Sequence, residues 1–309
     1  MMSLNGSNSM KELVVISGKG GTGKTSILAS LAALAGNSVI ADCDVDASNL
    51  HLVIEHTVKF SEKFSGGKSA RIKHGHCSAC GKCEELCRFD AVFFDGPGNG
   101  IVAKTFRIDP LSCEGCGVCA WFCAENAIEF KDAVNGKLFV SESKYGEFVH
   151  ARLFPGEENS GKLVTLVRNT AKEIALKNGA DYMMVDGSPG IGCTVIASIT
   201  GADHILAVTE PTLSGRHDLE RILGLAAHFS LPVYVAVNKY DINESIAAEI
   251  EEFALSKGAE NVGRIRYDRS VTDAMVKNMP VVEFADSGVA NDIRRLWETL
   301  QHKMAITTN

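Results

Sequence analysis

The sequence predicts an α/β fold, a doubly wound and mostly parallel sheet interrupted by a small cysteine-rich α+β unit. Three observations carry this reading. A glycine-rich loop joins an apolar strand pattern to a helical one near the start of the chain, strand and helix patterns alternate again over its second half, and eight cysteines between them fall into two matching runs. With 309 residues, 45% of them apolar, the chain can bury a sizeable core. A net charge of −7 argues against broad electrostatic attachment to nucleic acid or to anionic lipid, so neither is expected as a partner. Residues Met1–Ser9 are polar and read as a disordered leader or an artificial extension, with Met10 the expected native start. No apolar run approaches the roughly 18 residues that a membrane span requires.

The first element is the strand pattern Leu13-Val14-Val15-Ile16, followed by Gly18-Lys19-Gly20-Gly21-Thr22-Gly23-Lys24-Thr25 and a helical pattern from Ser26. This fits the phosphate-binding P-loop G-x-x-x-x-G-K-[ST] in its strand–loop–helix setting, where glycines let backbone amides close around phosphates at a helix N-terminus. Gly18 to Ser26 are therefore the expected nucleotide-binding residues. A second lysine, Lys19, stands directly after the first glycine. GKGGTGKT resembles the deviant Walker A loop of the MinD, ParA and nitrogenase iron protein superfamily of dimeric ATPases. The resemblance implies ATP and Mg²⁺ as ligands, Thr25 as a magnesium ligand, and a homodimer in the ATP state in which Lys19 reaches the phosphates of the other subunit.

A helix is expected over Thr25–Gly36 and a strand over Ser38–Ala41, which delivers Asp42-Cys43-Asp44-Val45-Asp46 to a strand's carboxyl end, where open α/β sheets collect ligands. By the resemblance, Asp44 lies in switch I and orients the attacking water. Asp46 reads as the cap of a helix over Ala47–Ile54.

From Lys59 onward the pattern shortens and the cysteines arrive. Cys77, Cys80, Cys83 and Cys87 follow C-x2-C-x2-C-x3-C, and Cys113, Cys116, Cys119 and Cys123 repeat that spacing 36 residues later. Gly81 and Gly117, and Ala91-Val92 and Ala127-Ile128, repeat with them, so a whole structural unit is duplicated. Zinc sites favour two C-x2-C pairs over triple runs with a distant fourth ligand, and a disulfide knot is the remaining alternative. Both runs resemble the bacterial two-cluster ferredoxin, whose fourth cysteine ligates the other cluster. That resemblance implies one [4Fe-4S] on Cys77, Cys80, Cys83 and Cys123, and a second on Cys113, Cys116, Cys119 and Cys87. Arg88 and Ala124 replace the proline that the pattern carries after each fourth cysteine.

Lys137–Val140 and Phe148–Leu153 alternate like a hairpin, a polar loop covers Pro155–Gly161, and a helix is expected over Lys162–Lys177. Tyr182-Met183-Met184-Val185-Asp186 is a buried strand ending in a carboxylate and followed by Gly187-Ser188-Pro189-Gly190. This resembles the family's Walker B and switch II segment, which makes Asp186 a magnesium ligand and the amide of Gly190 or a neighbour a γ-phosphate sensor. Strands follow at His204–Thr209 and Val233–Val237, and Ile265-Arg266-Tyr267-Asp268 ends the last one. After the second of these comes Asn238-Lys239-Tyr240-Asp241, in which the resemblance gives Asn238 to adenine, although Asn-Lys-x-Asp also resembles a guanine-reading motif. Cys43 and Cys193 read as small buried residues, with a metal shared between subunits at Cys193 as the alternative. The final helix places Ile293, Leu296, Trp297, Leu300 and Met304 on one face and reads as docked on the sheet rather than on a membrane.

Residues 10–58 and 133–309 are thus expected to form one discontinuous MinD-like ATPase domain, with a two-cluster ferredoxin domain inserted over 59–132. Lys19, Lys24, Asp44 and Asp186 are the expected catalytic set, for an ATPase that is slow and partner-stimulated. The favoured reading is a cytoplasmic ATPase that couples nucleotide state to electron transfer to a partner metalloenzyme. An iron–sulfur or metal-cofactor assembly and carrier factor is the alternative, and a spatial organiser of MinD or ParA type comes third.

Overall fold

The computed structural model describes residues 10–157, 161–286 and 288–307, so the leader expected at 1–9 and part of the loop at 155–161 lie outside the described residues. The elements run β1 (Lys11–Ser17), α1 (Lys24–Ala35), β2 (Ser38–Asp42), β3 (His56–Phe64), β4 (Gly67–Ile72), α2 (Lys82–Glu85), β5 (Val92–Gly96), β6 (Thr105–Ile108) and α3 (Val118–Trp121). They continue with β7 (Ile128–Ala133), β8 (Gly136–Ser143), β9 (Gly146–Leu153), α4 (Gly161–Asn178), β10 (Tyr182–Asp186), α5 (Cys193–Ile199), β11 (His204–Thr209) and α6 (Leu213–His228). Then come β12 (Val233–Asn238), α7 (Glu244–Ser256), β13 (Glu260–Ile265), α8 (Ser270–Val276), α9 (Val281–Phe284) and α10 (Val289–Thr307).

Residues 63–137 with 153–157 form one compact unit, and the other described residues form a second. The larger unit is built on a sheet of order β13-β12-β11-β1-β10-β2-β9-β8-β3. From β13 to β9 every neighbouring pair is parallel, as the sequence predicts for strand–helix alternation. The central strands are apolar on both faces because both are covered by helices. Leu13, Val15, Ile40, Met184, Leu206 and Val208 pack with α1 and α10 on one side. The alternate residues Val14, Ile16, Val39, Met183 and Ile205, also buried, point to the opposite pleat. There α4 lies against β2 and β10, and α6 against β11 and β1.

Parallel register brings two acids together: Asp186 at the end of β10 pairs with Asp42 at the end of β2. The hairpin β8–β9 is added beyond β2, and its Gly146 pairs with Ser38 at φ +124°. A Cβ there would sit 1.8 Å from the Ser38 carbonyl oxygen, so only glycine fits.

Two expectations need correction. The helix over 47–54 is replaced by two 3-10 turns, Val45–Ala47 and Leu50–Leu52, and the N-cap position of the first is Asp44, not Asp46. The cause is Ser48, whose hydroxyl reaches back to the Asp42 carboxylate and so ends the first turn. The sheet also extends further than its apolar pattern indicated: β3 runs to Phe64, past residue 58, yet is almost wholly exposed and so carries no alternation to read.

The smaller unit is two interlocked halves. β4 pairs antiparallel with β7 and β5 with β6, so each half lends one strand to the other. The duplication extends to the backbone: Ala79 and Gly115, Gly81 and Gly117, and Asp90 and Asn126 all take positive φ at positions 36 residues apart. Its core consists of Ala70, Ile72, Ala91, Val92, Phe106 and Ile108.

The last helix is docked, as expected: Ile293, Leu296, Trp297, Leu300 and Met304 are buried, and Trp297 meets Tyr182 edge-on at 5.2 Å. Among the described residues no helix is long and apolar enough to cross a membrane. Leu300→Ala should therefore lower unfolding stability by about 2–5 kcal/mol in urea titrations, whereas truncating exposed Leu255 on α7 should cost under about 1 kcal/mol.

Candidate functional site

The loop between β1 and α1 is shaped by Gly21 at φ +82° and Gly23 at φ +88°. Gly23 also has Asn238 against it, since a Cβ there would meet Asn238 Nδ2 at 2.4 Å. Helix α1 begins at once, with Ile27 donating to the Gly23 carbonyl, so the loop's amides stand at a helix N-terminus. Thr22 Oγ1 is buried there with no hydrogen-bond partner among the described residues. Ser26 faces elsewhere, its hydroxyl donating to Met275 Sδ at 3.7 Å.

Lys24 is the centre of the site. Its ammonium, 5% exposed, donates to Asp186 Oδ1 at 2.7 Å and to Asp44 Oδ2 at 3.1 Å. Thr25 Oγ1 donates to the other Asp186 oxygen at 2.7 Å. Four residues singled out by sequence thus converge. Burial works against the Lys24 charge, but Asp186 and Asp44 outweigh it and hold the ammonium above the ordinary lysine range. Burial likewise raises Asp44, against the pull of Lys24.

Asp42 plays a part that the sequence did not indicate. It is fully buried, and burial together with the Asp186 charge pushes its carboxyl up to about 7. Its oxygens accept from the Asp44 amide at 3.1 Å and from the Ser48 hydroxyl at 2.7 Å. It therefore ties down the segment that carries Asp44. A second tie joins this segment to the one after β10, where Ser188 Oγ donates to the Cys43 carbonyl at 2.7 Å.

The Gly190 amide donates to the Ser17 carbonyl at 2.9 Å, so its donor is engaged within the chain. Asn238 Nδ2 donates to the Thr22 carbonyl at 2.7 Å, which places Asn238 against the phosphate loop. Lys239, in left-handed conformation, reaches the Gly21 carbonyl at 3.3 Å. Lys19 pairs with Glu210 at 3.2 Å, and Lys239 pairs with the other oxygen of the same carboxylate at 2.6 Å. Glu210 was not singled out by sequence, and its only signal is its place directly after the buried strand β11. Cys43 is buried, with Sγ 3.9 Å from the Val164 carbonyl, whereas Cys193 is exposed at the start of α5, against expectation.

In the smaller unit the cysteines line two small pockets. One is lined by Cys77, Cys80, Cys83 and Cys123 with Ile72 and Ile128, and the other by Cys113, Cys116, Cys119 and Cys87 with Ile108 and Val92. Each cavity takes three cysteines from one half and the fourth from the other. Ala127 donates its amide to Cys123 Sγ at 3.3 Å. Among the described residues no group of three or more His, Cys, Asp or Glu meets the spacing for a single metal ion.

A family model described as the CobQ/CobB/MinD/ParA nucleotide binding domain matches residues 13–281. Two uncharacterized proteins of Methanocaldococcus jannaschii also align. MJ0578 is 36% identical over 236 residues, 75% of this chain and 79% of that protein. MJ0579 is 27% identical over 241 residues, 76% and 83% of the two. Among solved structures, the septum site-determining protein MinD complexed with Mg-ADP from Pyrococcus horikoshii OT3 superposes with a TM-score of 0.56 at 15% identity, covering 96% of this chain and 98% of that one. A ParA family ATPase from Chlorobium tepidum TLS gives 0.54 at 15% identity, over 94% and 99%. At such identities the structural likeness speaks for the fold alone. The span of the family match and the 36% identical relative decide the assignment: the chain belongs to the CobQ/CobB/MinD/ParA nucleotide-binding domain family.

Proposed function

We propose that this protein is a homodimer-forming ATPase that couples its nucleotide state to electron transfer from two [4Fe-4S] clusters, held in a ferredoxin-like domain, to a partner metalloenzyme in the cytoplasm. The observation that carries the iron–sulfur part is the pair of cavities, each lined by three cysteines of one run and the fourth of the other. Their walls fit such a group: four thiols converge on each pocket, three from one run and the fourth from the other, whereas zinc sites favour two C-x2-C pairs. Aliphatic side chains supply part of each wall, Ile72 and Ile128 in one and Val92 and Ile108 in the other, beside Lys82 and Glu125 in the first and Glu114 in the second, and a backbone amide is turned onto Cys123 Sγ. Cys77, Cys80, Cys83 and Cys123 would hold one cluster, and Cys113, Cys116, Cys119 and Cys87 the other. When bound, the clusters supply one-electron chemistry at low potential.

For the nucleotide, the P-loop amides and Lys24 would take the phosphates, Thr25 and Asp186 would hold Mg²⁺, and Asp44 would orient the attacking water. Lys24 bonds both carboxylates, so to hold phosphate oxygens its ammonium would have to leave Asp186 and Asp44, which would free one acid for the metal and the other for water. Release of the Gly190 amide from Ser17 would let it report the γ-phosphate, and the Ser188–Cys43 tie would carry that change to the Asp44 segment. Lys19 would complete the partner's site across the dimer. The energy scale suits coupling: moving a one-electron potential by about 0.1 V costs about 2.3 kcal/mol, against about 8 kcal/mol for micromolar nucleotide binding.

The deciding experiment is an EPR-monitored redox titration of anaerobically reconstituted protein without nucleotide, with MgADP and with a non-hydrolysable MgATP analogue. Two cluster signals are expected, with at least one potential moved by tens of millivolts in the ATP state; absence of iron and of any EPR signal would sink the reading. Cys123→Ser and Cys87→Ser should each perturb one cluster and spare the other. Lys24→Ala should weaken nucleotide binding about 100-fold in calorimetry, as loss of a charge-assisted contact predicts, whereas Lys19→Ala should bind as a monomer and fail to dimerise. Asp42 gives a pH signature. Its folded carboxyl titrates near 7, above the unfolded value, so the native state holds the extra proton and stability falls as pH rises from about 4 to 7. Asp42→Asn removes the charge, keeps the acceptor for the Asp44 amide and replaces the Ser48 bond by one the amide nitrogen donates to the hydroxyl. In metal-free, nucleotide-free protein its melting temperature should match the wild type near pH 4 and exceed it increasingly up to about pH 7.

A further inference from the structure

We propose that Glu210 is a positioning residue that holds Lys19 within its own subunit and so sets the nucleotide concentration at which the dimer closes. This rests on the reading of Lys19 as the lysine that crosses between subunits. The carboxylate is 14% exposed and meets two ammonium groups, one per oxygen: Lys19 at 3.2 Å and Lys239 at 2.6 Å. Burial raises the Glu210 carboxyl, but the hydrogen bonds and charges of Lys239 and Lys19 more than offset it, so the group is ionised in this state.

The fold fixes Glu210 firmly. It leaves β11 directly before Pro211, and the turn behind it is closed by Thr209 Oγ1 donating to the Gly215 carbonyl and by the Gly215 amide donating to Thr212 Oγ1. A Cβ on Gly215 would strike the Glu210 carbonyl oxygen at 2.4 Å, so helix α6 is packed against the Glu210 backbone. The two lysines differ. Lys239 also reaches the Gly21 carbonyl and follows Asn238, which is itself bonded to the loop, whereas the Lys19 side chain is 40% exposed on the outer rim. One negative charge thus serves two positive ones, and the more exposed lysine is the one that leaves at least cost. A partner's phosphates offer Lys19 more negative charge than a carboxylate already shared with Lys239. The exchange then requires nucleotide on the other subunit, which is a direct route to closing only when both sites are filled.

The test is a titration of dimerisation by light scattering at fixed protein concentration, using a non-hydrolysable MgATP analogue. Glu210→Gln should lower the midpoint about three- to tenfold, the scale expected for a partly exposed ion pair released on both subunits. Glu220→Gln, which removes an exposed carboxylate paired with Lys257 on the far side of α6, should leave it unchanged. The double variant Glu210→Gln, Lys19→Ala should behave as Lys19→Ala alone, and those two should bind the analogue as monomers with equal affinity. If Lys19→Ala still dimerises normally, the cross-subunit role of Lys19 fails. If Lys19→Ala blocks dimerisation but Glu210→Gln leaves or raises the midpoint, Glu210 is not a latch. A lower midpoint accompanied by tighter binding in the Lys19→Ala background would assign the effect to nucleotide affinity and overturn the proposal as well.

Discussion

The nucleotide site depends on one buried ammonium. Parallel pairing of β2 and β10 forces Asp42 and Asp186 side by side at the ends of two apolar strands, and Asp44 follows immediately. Three acids in so dry a place would repel strongly, and Lys24 makes the arrangement tenable by bonding two of them while burial suppresses the charge of the third. The charges of the site are therefore matched against each other within the chain.

The smaller unit obeys a different constraint. A stretch of this length has little interior, and its core is six side chains of modest size, while Phe89, Phe93, Phe94, Trp121 and Phe122 remain exposed. Small folds of this kind depend on cross-links or metal to hold their halves together. The strand exchange joins the two repeats, and each cysteine-lined pocket draws its fourth sulfur from the other half, so loss of either half would remove a strand from the other and a sulfur from its pocket.

Much of this was legible in the sequence, and the reasons are local. Strands buried on both faces announce themselves as apolar runs, as at Leu13–Ile16 and Tyr182–Val185; Asp186 ends the second, Asp44 follows β2, and Lys24 and Thr25 open the helix after the glycine-rich loop. The edge strand β3 is mostly polar and almost wholly exposed, so no periodicity marked its full extent. Glu210, Lys239 and the Asp42–Ser48 tie join residues through side-chain contacts that no spacing rule records. The segment after Asp46 misled for the same reason: its composition suits a helix, but a single hydroxyl-to-carboxylate bond across six residues closes it into turns.

The sheet order also governs the sequence of events as the chain leaves the ribosome. β1 and β2 do not pair with each other; β1 lies between β10 and β11, and β2 between β10 and β9. Every hydrogen-bonding neighbour of the first two strands is therefore encoded after the cysteine-rich unit, with Ser38 waiting for Gly146 and Lys11 for Tyr182. The phosphate loop cannot be assembled until that unit has been synthesised, and a compact insert shortens the loop that must close where a slack one lengthens the search. Compaction of the smaller unit thus bears on when the phosphate loop of the larger one can form.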